Sequence, residues 1–357
     1  MSLVIILATI SYTLIVFKEI LSYQKDPEIT LIPILMFLLH VVVYGFDVVV
    51  IVTLISKVQE LCFVLGNLQN MKDCMNGGDG DEEPKLIGLL LHAMIPAPIA
   101  TTFVFCSVPL ILPHVDPTYF LFRNISSLSS IPILFCRLFI ISISTLHGSV
   151  LIYTCIIYGT NIYLMFHISL KSMINQKLFE DVKYQEENGT STITDFKILI
   201  RVSKFGLKFG RIPSFARNLL KYRQLQVMIT ILNQIAFVIL PFSMMVLLVC
   251  CVACGYMLIK LTGSVPFPIT LLSMFVICLF VTLVHFMVPL MVEVTVRSND
   301  FIRLWKLRRV SAYRRKQLES FRLIRISIGP FGYVTKGLKI LCFSLALYHT
   351  VSMVVLL

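Results

Sequence analysis

Two long apolar stretches in the second half of the chain determine the fold class. Residues 226–259 read QVMITILNQIAFVILPFSMMVLLVCCVACGYMLI, and residues 267–295 read FPITLLSMFVICLFVTLVHFMVPLMVEVT. The turn-forming run Thr262–Pro266 lies between them. Each stretch exceeds the ~20 residues that a helix needs to cross ~30 Å of hydrocarbon. Because a backbone in lipid must satisfy its own hydrogen bonds, we predict two adjacent membrane-spanning helices joined by a tight turn.

The rest of the chain repeats this pattern. Of its 357 residues, 57% are hydrophobic and 14% are charged, and the mean hydropathy is +0.87. One soluble core of this size cannot bury so much apolar surface. We therefore predict an all-α membrane protein with a single domain, multi-pass in the plasma membrane. Its seven transmembrane helices are expected at about 3–22, 31–55, 86–112, 131–167, 226–259, 267–295 and 338–357.

Some of these blocks carry further predictions. Pro96 and Pro98 should kink the third span. The fourth block is long enough to tilt and to continue as helix beyond the bilayer. Residues 56–85 are expected to form a loop, because this segment ends in a run of Gly, Asn and acidic residues.

The distribution of Lys and Arg predicts the orientation. Most basic residues fall in 56–85, 168–225 and 296–337, which lie on one side of a seven-span layout. The other side holds few, and they are Lys18, Lys25, Arg123 and Lys260. Since basic loops stay cytoplasmic, the N-terminus is predicted inside and the C-terminus outside. The net charge of +12 therefore reflects topology, and no nucleic-acid partner is expected.

Two glycosylation sequons bear on this orientation. Asn124-Ile125-Ser126 is expected outside the cell, where Asn124 could be glycosylated. Asn188-Gly189-Thr190 is expected inside, where it could not.

Three motifs in the second half of the chain carry a family resemblance. One is the entry to the predicted fifth span, Tyr222-Arg223-Gln224-Leu225 with Asn233. A second is the approach to the last span, Ile328-Gly329-Pro330-Phe331-Gly332-Tyr333-Val334. The third is the terminal run from Tyr348 to Leu357. These motifs resemble those of the arthropod gustatory and odorant receptors; in the terminal run Thr350 fits the family signature, but Val351 replaces its Tyr and Leu357 its Gln.

This resemblance implies a function and an assembly. Members of the family are tetrameric ligand-gated cation channels that respond to odorants or tastants. The last spans line a central pore, and the cytoplasmic segments, here 168–225 and 296–337, form an anchor between subunits. A homotetramer, or a heterotetramer with a co-receptor, is thus expected. The motifs place Tyr222, Asn233 and Phe331 in this anchor. Trp305 is added because Leu304, Trp305 and Leu307 amid the charges predict an amphipathic helix that packs against neighbouring subunits.

The last span offers candidate gate residues. Thr350, Val354 and Leu357 recur at helical spacing on one face. Around a central pore, the Thr350 hydroxyls and two layers of apolar side chains from Val354 and Leu357 are compatible with a gate that closes by dewetting. Val and Leu suit a lipid-facing surface equally well. The gate prediction comprises Tyr348, Thr350, Val351, Val354 and Leu357.

The resemblance places a small-molecule pocket in the outer half of the second, third, fourth and sixth spans. Such pockets are mostly apolar with a few polar groups. Packing between helices through Thr and Ser is the alternative role for each of these residues. The candidates are His40, Thr101, Thr102, Phe103, Phe105, Phe135, Arg137, Ser142, Ser144 and Phe275.

Ionisable residues inside spans are functional candidates by default. Asp47 and Arg137 are two of them, at predicted depths that differ by ~14 Å at ~1.5 Å per residue. They are therefore poor partners for an ion pair. Arg137 is expected either to extend toward the interface or to enter a hydrated pocket.

Three other classes remain as alternatives. A G-protein-coupled receptor needs the opposite orientation and has an Asp-Arg-Tyr and an Asn-Pro-x-x-Tyr motif, which the chain lacks. A transporter should contain repeats, and none is evident. No nucleophile and base, metal-ligand set or cofactor motif indicates an enzyme; Cys251-x-x-Cys254 has redox spacing but lies in a predicted span. The expected partners are a small-molecule ligand and membrane lipids.

Overall fold

The computed structural model describes residues 31–73, 85–111, 117–122, 130–188, 215–260, 267–307 and 318–356, with single positions between 6 and 18 and at 261, 263 and 316. Helices dominate these residues, and no strand occurs in them beyond one isolated bridge between Ser327 and Tyr333. The α-helices are α1 (Leu31–Ser56), α2 (Val58–Asp73), α3 (Lys85–Ala93), α4 (Ala97–Ile111), α5 (Pro117–Phe122), α6 (Ser130–Asn188), α7 (Phe215–Lys260), α8 (Phe267–Leu307) and α9 (Leu338–Leu356).

The predicted all-α class with membrane-length helices is confirmed for this part of the chain. Five helices, α1, α6, α7, α8 and α9, are long and apolar enough to cross a membrane. The block at 86–112 instead forms two shorter helices, α3 and α4, separated by a turn at Met94–Pro96. The prolines of this block account for the break, because Pro96 has no backbone N–H to continue a helix. Positions 6 to 18 that are described are helical.

The prediction of a loop at 56–85 is wrong for its first half. Residues 58–73 form α2, and only 74–84 lie outside the described residues. An apolar stripe explains this helix, since Val64, Leu68 and Met71 follow each other at helical spacing. All three are buried against α6 and α7.

One hydrophobic cluster gathers five helix ends at one end of the bundle. It joins the start of α1, the end of α4, the end of α7, the start of α8 and the last turns of α9. We call it the turn end, because the α7–α8 connection lies there. Its members include Leu35, Val108, Met257, Ile269 and Val354.

A larger cluster occupies the opposite end. It joins α2, the second half of α6, the start of α7, the end of α8 and the segment before α9, and it extends along the middle of the bundle to Cys251, Phe280 and Ala346. Leu225 of this cluster and Met257 of the turn end are ~48 Å apart along α7 at ~1.5 Å per residue. We call it the basic end, because the basic segments of the sequence adjoin it. The helices α7, α8 and α9 each run between the two ends, in alternating directions.

Residues 321–337, here called the strap, connect the basic end to α9 without forming a helix of more than one turn. The strap folds back on itself around the short 3-10 turn Gly329–Phe331. Ile328 donates its N–H to the Gly332 carbonyl at 2.7 Å, and Val334 donates to Ile326 at 3.0 Å. The turn requires positive φ at Gly329 and Gly332 (56° and 93°). Residues with a Cβ disfavour this backbone conformation, whereas glycine adopts it readily.

Candidate functional site

Two of the predicted anchor residues, Tyr222 and Asn233, bind the strap within one chain. The Tyr222 hydroxyl lies 2.7 Å from Ser298 Oγ and donates to the Arg322 carbonyl at 3.0 Å. The Ile324 N–H donates to Ser298 Oγ at 2.9 Å. The Tyr222 ring stacks on Phe301, with centroids 4.8 Å apart and planes at 9°. One tyrosine on α7 thus ties α8 to the strap.

Two further α7 side chains bind the strap backbone. The Asn233 amide donates to the Arg325 carbonyl at 2.8 Å and accepts the Ser327 N–H at 3.0 Å. Gln226 donates to the same Arg322 carbonyl as Tyr222. Residues 222, 226 and 233 share one face of α7, since their spacings of four and seven match the helical period. The strap therefore docks along a polar stripe of α7.

A proline and a glycine complete this docking. Pro241 lacks an N–H, so the Phe237 carbonyl one turn before it has no partner within the helix. Gly329 approaches that carbonyl so closely that a Cβ on Gly329 would lie 2.6 Å from its oxygen and 3.1 Å from Pro241 Cγ. Only glycine fits this position of the strap.

The four anchor residues differ in exposure. Trp305 is 1% exposed and packs edge-on to Phe301 at 6.2 Å. Phe331, in contrast, is 78% exposed. Tyr222, Asn233 and Trp305 thus stabilise the basic end internally, and whether they also contact another subunit stays a prediction.

The second site of interest lies between α1 and α6. The Tyr44 hydroxyl donates to Ser144 Oγ at 3.0 Å. One turn further along both helices, Asp47 faces Gly148: a Cβ on Gly148 would lie 2.5 Å from Asp47 Oδ2. The two contacts follow the same order on both helices, so α1 and α6 run in the same direction. Because α1 and α6 are parallel, the chain must run back along the bundle between them, and α3 and α4 form this antiparallel segment.

Asp47 is the most unusual side chain of this contact. It is 0% exposed, and neither carboxylate oxygen has a hydrogen-bond partner. An ionised carboxylate without a partner is strongly disfavoured in apolar surroundings. A second fully buried side chain whose polar atoms lack partners, Asn218, lies on α7 one turn before Tyr222. Its neutral amide costs much less to bury than a carboxylate.

Aromatic rings line α1 next to Asp47. The His40 ring packs edge-on to Tyr44 at 5.6 Å and to Phe105 of α4 at 5.5 Å. His40 Nδ1 lies 2.7 Å from the Met36 carbonyl. Of the predicted pocket residues, His40, Phe105 and Ser144 thus come together around Tyr44.

Arg137 lies in a separate contact under α5. Its Nε donates to Thr118 Oγ1 at 3.3 Å, and its guanidinium lies 5.5 Å from the Tyr119 ring centre. Arg137 is 5% exposed, so it neither extends to solvent nor pairs with Asp47.

The other predicted pocket residues do not join this cluster. Thr101 and Thr102 bond the carbonyls of Ala97 and Pro98 in their own helix, and Ser142 contacts Cys106 at 3.0 Å. Exposed rings on the outer surface are Phe103, Phe135 and Phe275. A small apolar cavity, with room for about one water molecule, lies elsewhere and is lined by Leu91, Met94, Ile156, Thr160, Thr282, Leu283, Phe286, Met287 and Leu290.

The predicted gate residues occupy two faces of α9. Thr350 is buried against α7, where a Cβ on Gly255 would lie 2.8 Å from Thr350 Cγ2. Val354 packs with the turn end. Tyr348 and Val351 point away from the bundle and are 68% and 57% exposed. Thr350 and Val351 therefore cannot share one pore-facing side of α9.

Several predictions fall on residues that the structure leaves out. Leu357 of the predicted gate and the sequon asparagine Asn124 lie outside the described residues, as does most of the predicted span at 3–22. Among the residues that are described, no group of three or more His, Cys, Asp and Glu side chains could hold a metal ion.

Sequence reasoning missed Tyr44, Gly148, Gln226 and Ser298. Tyr44 and Gly148 act through contacts about a hundred residues apart, for which no local pattern exists. The resemblance to arthropod chemoreceptors stays a prediction from the motifs, because no protein-family model matches the chain and no curated protein matches it.

Proposed function

We propose that the chain is a subunit of a chemosensory, ligand-gated cation channel in the plasma membrane. It would have seven spans, a cytoplasmic N-terminus and an extracellular C-terminus, and would assemble as a homotetramer or as a heterotetramer with a co-receptor. A small odorant or tastant would open it.

Asp47 is the observation that carries this proposal. A carboxyl that is fully buried and unpaired in a helix of membrane length lowers stability, and such residues characteristically serve ligands or ions. A purely structural bundle gains nothing from keeping it, because an apolar residue in its place would pack without the cost of desolvation.

The alternation of the helices supports the threading. The described parts of the basic segments 168–225 and 296–337 lie at one end, and α9 finishes at the other. If basic segments are cytoplasmic, the C-terminus of α9 is extracellular. A G-protein-coupled receptor would need the reverse.

A continuous set of contacts could carry a signal from α1 to α9. Leu35, one end of α1, packs at the turn end with Met257 of α7 and Val354 of α9. Gly255 and Thr350 bring α7 and α9 into close contact next to it. A shift of α1 against α6 would thus reach α9 through α7.

The outer face of α9 is available for a pore or for other subunits. Of all the membrane-length helices described, α9 is the least buried. Ile340, Leu347, Tyr348, Val351 and Val355 form one exposed face. Lipid could cover this face equally well, so assembly is part of the proposal.

Whole-cell recording tests the function. The chain, expressed alone and with a co-receptor, should give a cation current on exposure to an odorant or tastant, and dialysis with a GDP analogue that blocks G proteins should leave the current intact. Loss of the current under the GDP analogue would instead support the G-protein-coupled class. Silence across a broad panel, despite surface expression, would contradict the proposal.

A further inference from the structure

Asp47 also indicates which ligands the chain would accept. Neither oxygen of its carboxyl has a hydrogen-bond partner, and Gly148 of α6 lies against one of them. Tyr44, which is bonded to Ser144, lies one turn before Asp47 on α1. Tyr44 and Ser144 are neutral, and Gly148 contributes no side chain. A buried acid in such surroundings must be neutralised by a proton or by a bound cation.

Among the residues that the structure describes, no cationic side chain is bonded to the Asp47 carboxyl. Arg137 is engaged with Thr118 and Tyr119. The notch opposite Asp47 depends on Gly148, since any Cβ there would collide with the carboxylate. The carboxyl therefore rests as a neutral acid in a site that a cation could complete.

The lining suits one kind of cation in particular. Hydroxyl oxygens of Tyr44 and Ser144 can accept hydrogen bonds, and aromatic rings attract cations through their faces. The ring of Tyr44 lies one turn from Asp47, whereas His40, with Phe105 packed against it, lies ~10 Å away along α1 at ~1.5 Å per residue. Carboxylate, hydroxyl and aromatic groups together are the features that bind an organic ammonium.

We propose that Asp47, with Tyr44 and Ser144, forms a binding site for small primary amines between α1 and α6. The amine enters as the uncharged free base, which an apolar bundle admits. Its nitrogen takes the proton from the Asp47 carboxyl: an N–H bond forms as the O–H bond breaks, leaving an ammonium paired with a carboxylate. No net charge enters the bundle. That an amine would open a channel rests on the proposed function, whereas the binding of the amine does not require a channel.

Entry of an amine requires α1 and α6 to separate. The carboxylate and Gly148 are in direct contact, so the ammonium must take its place beside the notch and push the helices apart. The start of α1 would transmit this shift to α7 and α9 at the turn end.

The binding test uses the purified full chain in lipid nanodiscs, with butylamine and its neutral isostere 1-butanol as probes and calorimetry as the readout. Butylamine should bind, and Asp47→Asn should weaken its binding by about tenfold or more, with binding of 1-butanol unchanged. Glu60→Gln, which removes a carboxylate exposed on α2, is the matched control and should bind butylamine normally. Tetramethylammonium, which has no free-base form, should not bind.

A second variant keeps the test decisive if Asp47→Asn fails to fold. Tyr44→Phe removes only a hydroxyl and should weaken the binding of butylamine by about threefold. Equal binding of butylamine and 1-butanol by the wild-type chain, or full butylamine binding by Asp47→Asn, would overturn the inference.

The test separates the inference from the proposed function. Amine binding without any ligand-evoked current would sustain the site and contradict the channel. Currents evoked by neutral ligands, with no preference for amines, would sustain the channel and contradict the site.

Discussion

The strap and the α1–α6 contact treat buried polar groups in opposite ways. At the strap, Tyr222, Asn233 and Ser298 are each hydrogen-bonded to backbone groups that would otherwise be orphaned. Between α1 and α6, Asp47 is fully buried but has no hydrogen-bond partner. The first pattern stabilises one structure, and the second leaves a contact that a ligand can complete. The difference indicates that the docked strap is a scaffold and that the α1–α6 contact is the part that changes.

The largest effect on stability is expected at the basic end. Trp305→Ala removes a side chain that is 1% exposed and should lower the free energy of unfolding by ~3–5 kcal/mol. Denaturant titration in detergent measures it. Phe331→Ala, at a site 78% exposed, is the matched control and should change stability by less than ~0.5 kcal/mol. Equal losses would mean that the cluster at the basic end does not support the fold.

Asn233→Ala tests the docking of the strap. It leaves the Arg325 carbonyl and the Ser327 N–H without their side-chain partner and should cost ~1–3 kcal/mol. Hydrogen exchange should increase at the Ser327 amide in particular. Thr230→Ala, on the same helix but bonded only to its own backbone, should leave exchange in the strap unchanged. Unchanged protection of Ser327 in Asn233→Ala would contradict the role given to Asn233.

Gly148→Ala tests the notch that holds Asp47. The added Cβ would lie 2.5 Å from Oδ2, so we expect a loss of ~1–3 kcal/mol from overpacking. Gly159→Ala, on the same helix with nothing within 4 Å, should instead be neutral or stabilising, because alanine favours helix. The double variant Asp47→Ala with Gly148→Ala should recover most of the loss. Additive effects in that double variant would show that the two residues do not touch.

Asp47→Asn should have the smallest effect on stability. An amide of the same shape replaces a neutral acid, so the free energy of unfolding should stay within ~1 kcal/mol of the wild type or rise. The opposite substitution in the α7 side chain that binds the strap, Asn233→Asp, should lower the free energy of unfolding, because a carboxylate cannot donate a hydrogen bond to the Arg325 carbonyl. A large loss for Asp47→Asn would mean that the carboxylate has a partner that holds it.

The sequence predicted the two regions unequally. Apolar blocks fixed the long helices, because membrane length and helical hydrogen bonding leave few alternatives. Tyr222, Asn233 and Trp305 were found through the family resemblance, and the structure groups them at the basic end. What they bind there, the backbone of the strap, could not be predicted, since residues 222 and 322 meet only in three dimensions.

The predicted ligand pocket was harder to locate. The position of a residue within a span does not determine the direction of its side chain. Phe103 and Phe135 are predicted pocket residues, but both lie on the outer surface. The gate residues share this problem, because Thr350 packs inward while Val351 points outward. Helix α2 was not predicted, because the polar residues at the end of the segment 56–85 indicate a loop. The spacing of Val64, Leu68 and Met71 at its start indicates the helix.

The side of the membrane that each end of the bundle faces is the most direct test of the proposed receptor channel. Epitopes placed after the last residue and within 189–214 can be probed with antibodies on intact and on permeabilised cells. The proposal predicts that the C-terminal epitope is labelled on intact cells and the internal one only after permeabilisation. The reverse pattern would contradict the channel and require another function for the bundle.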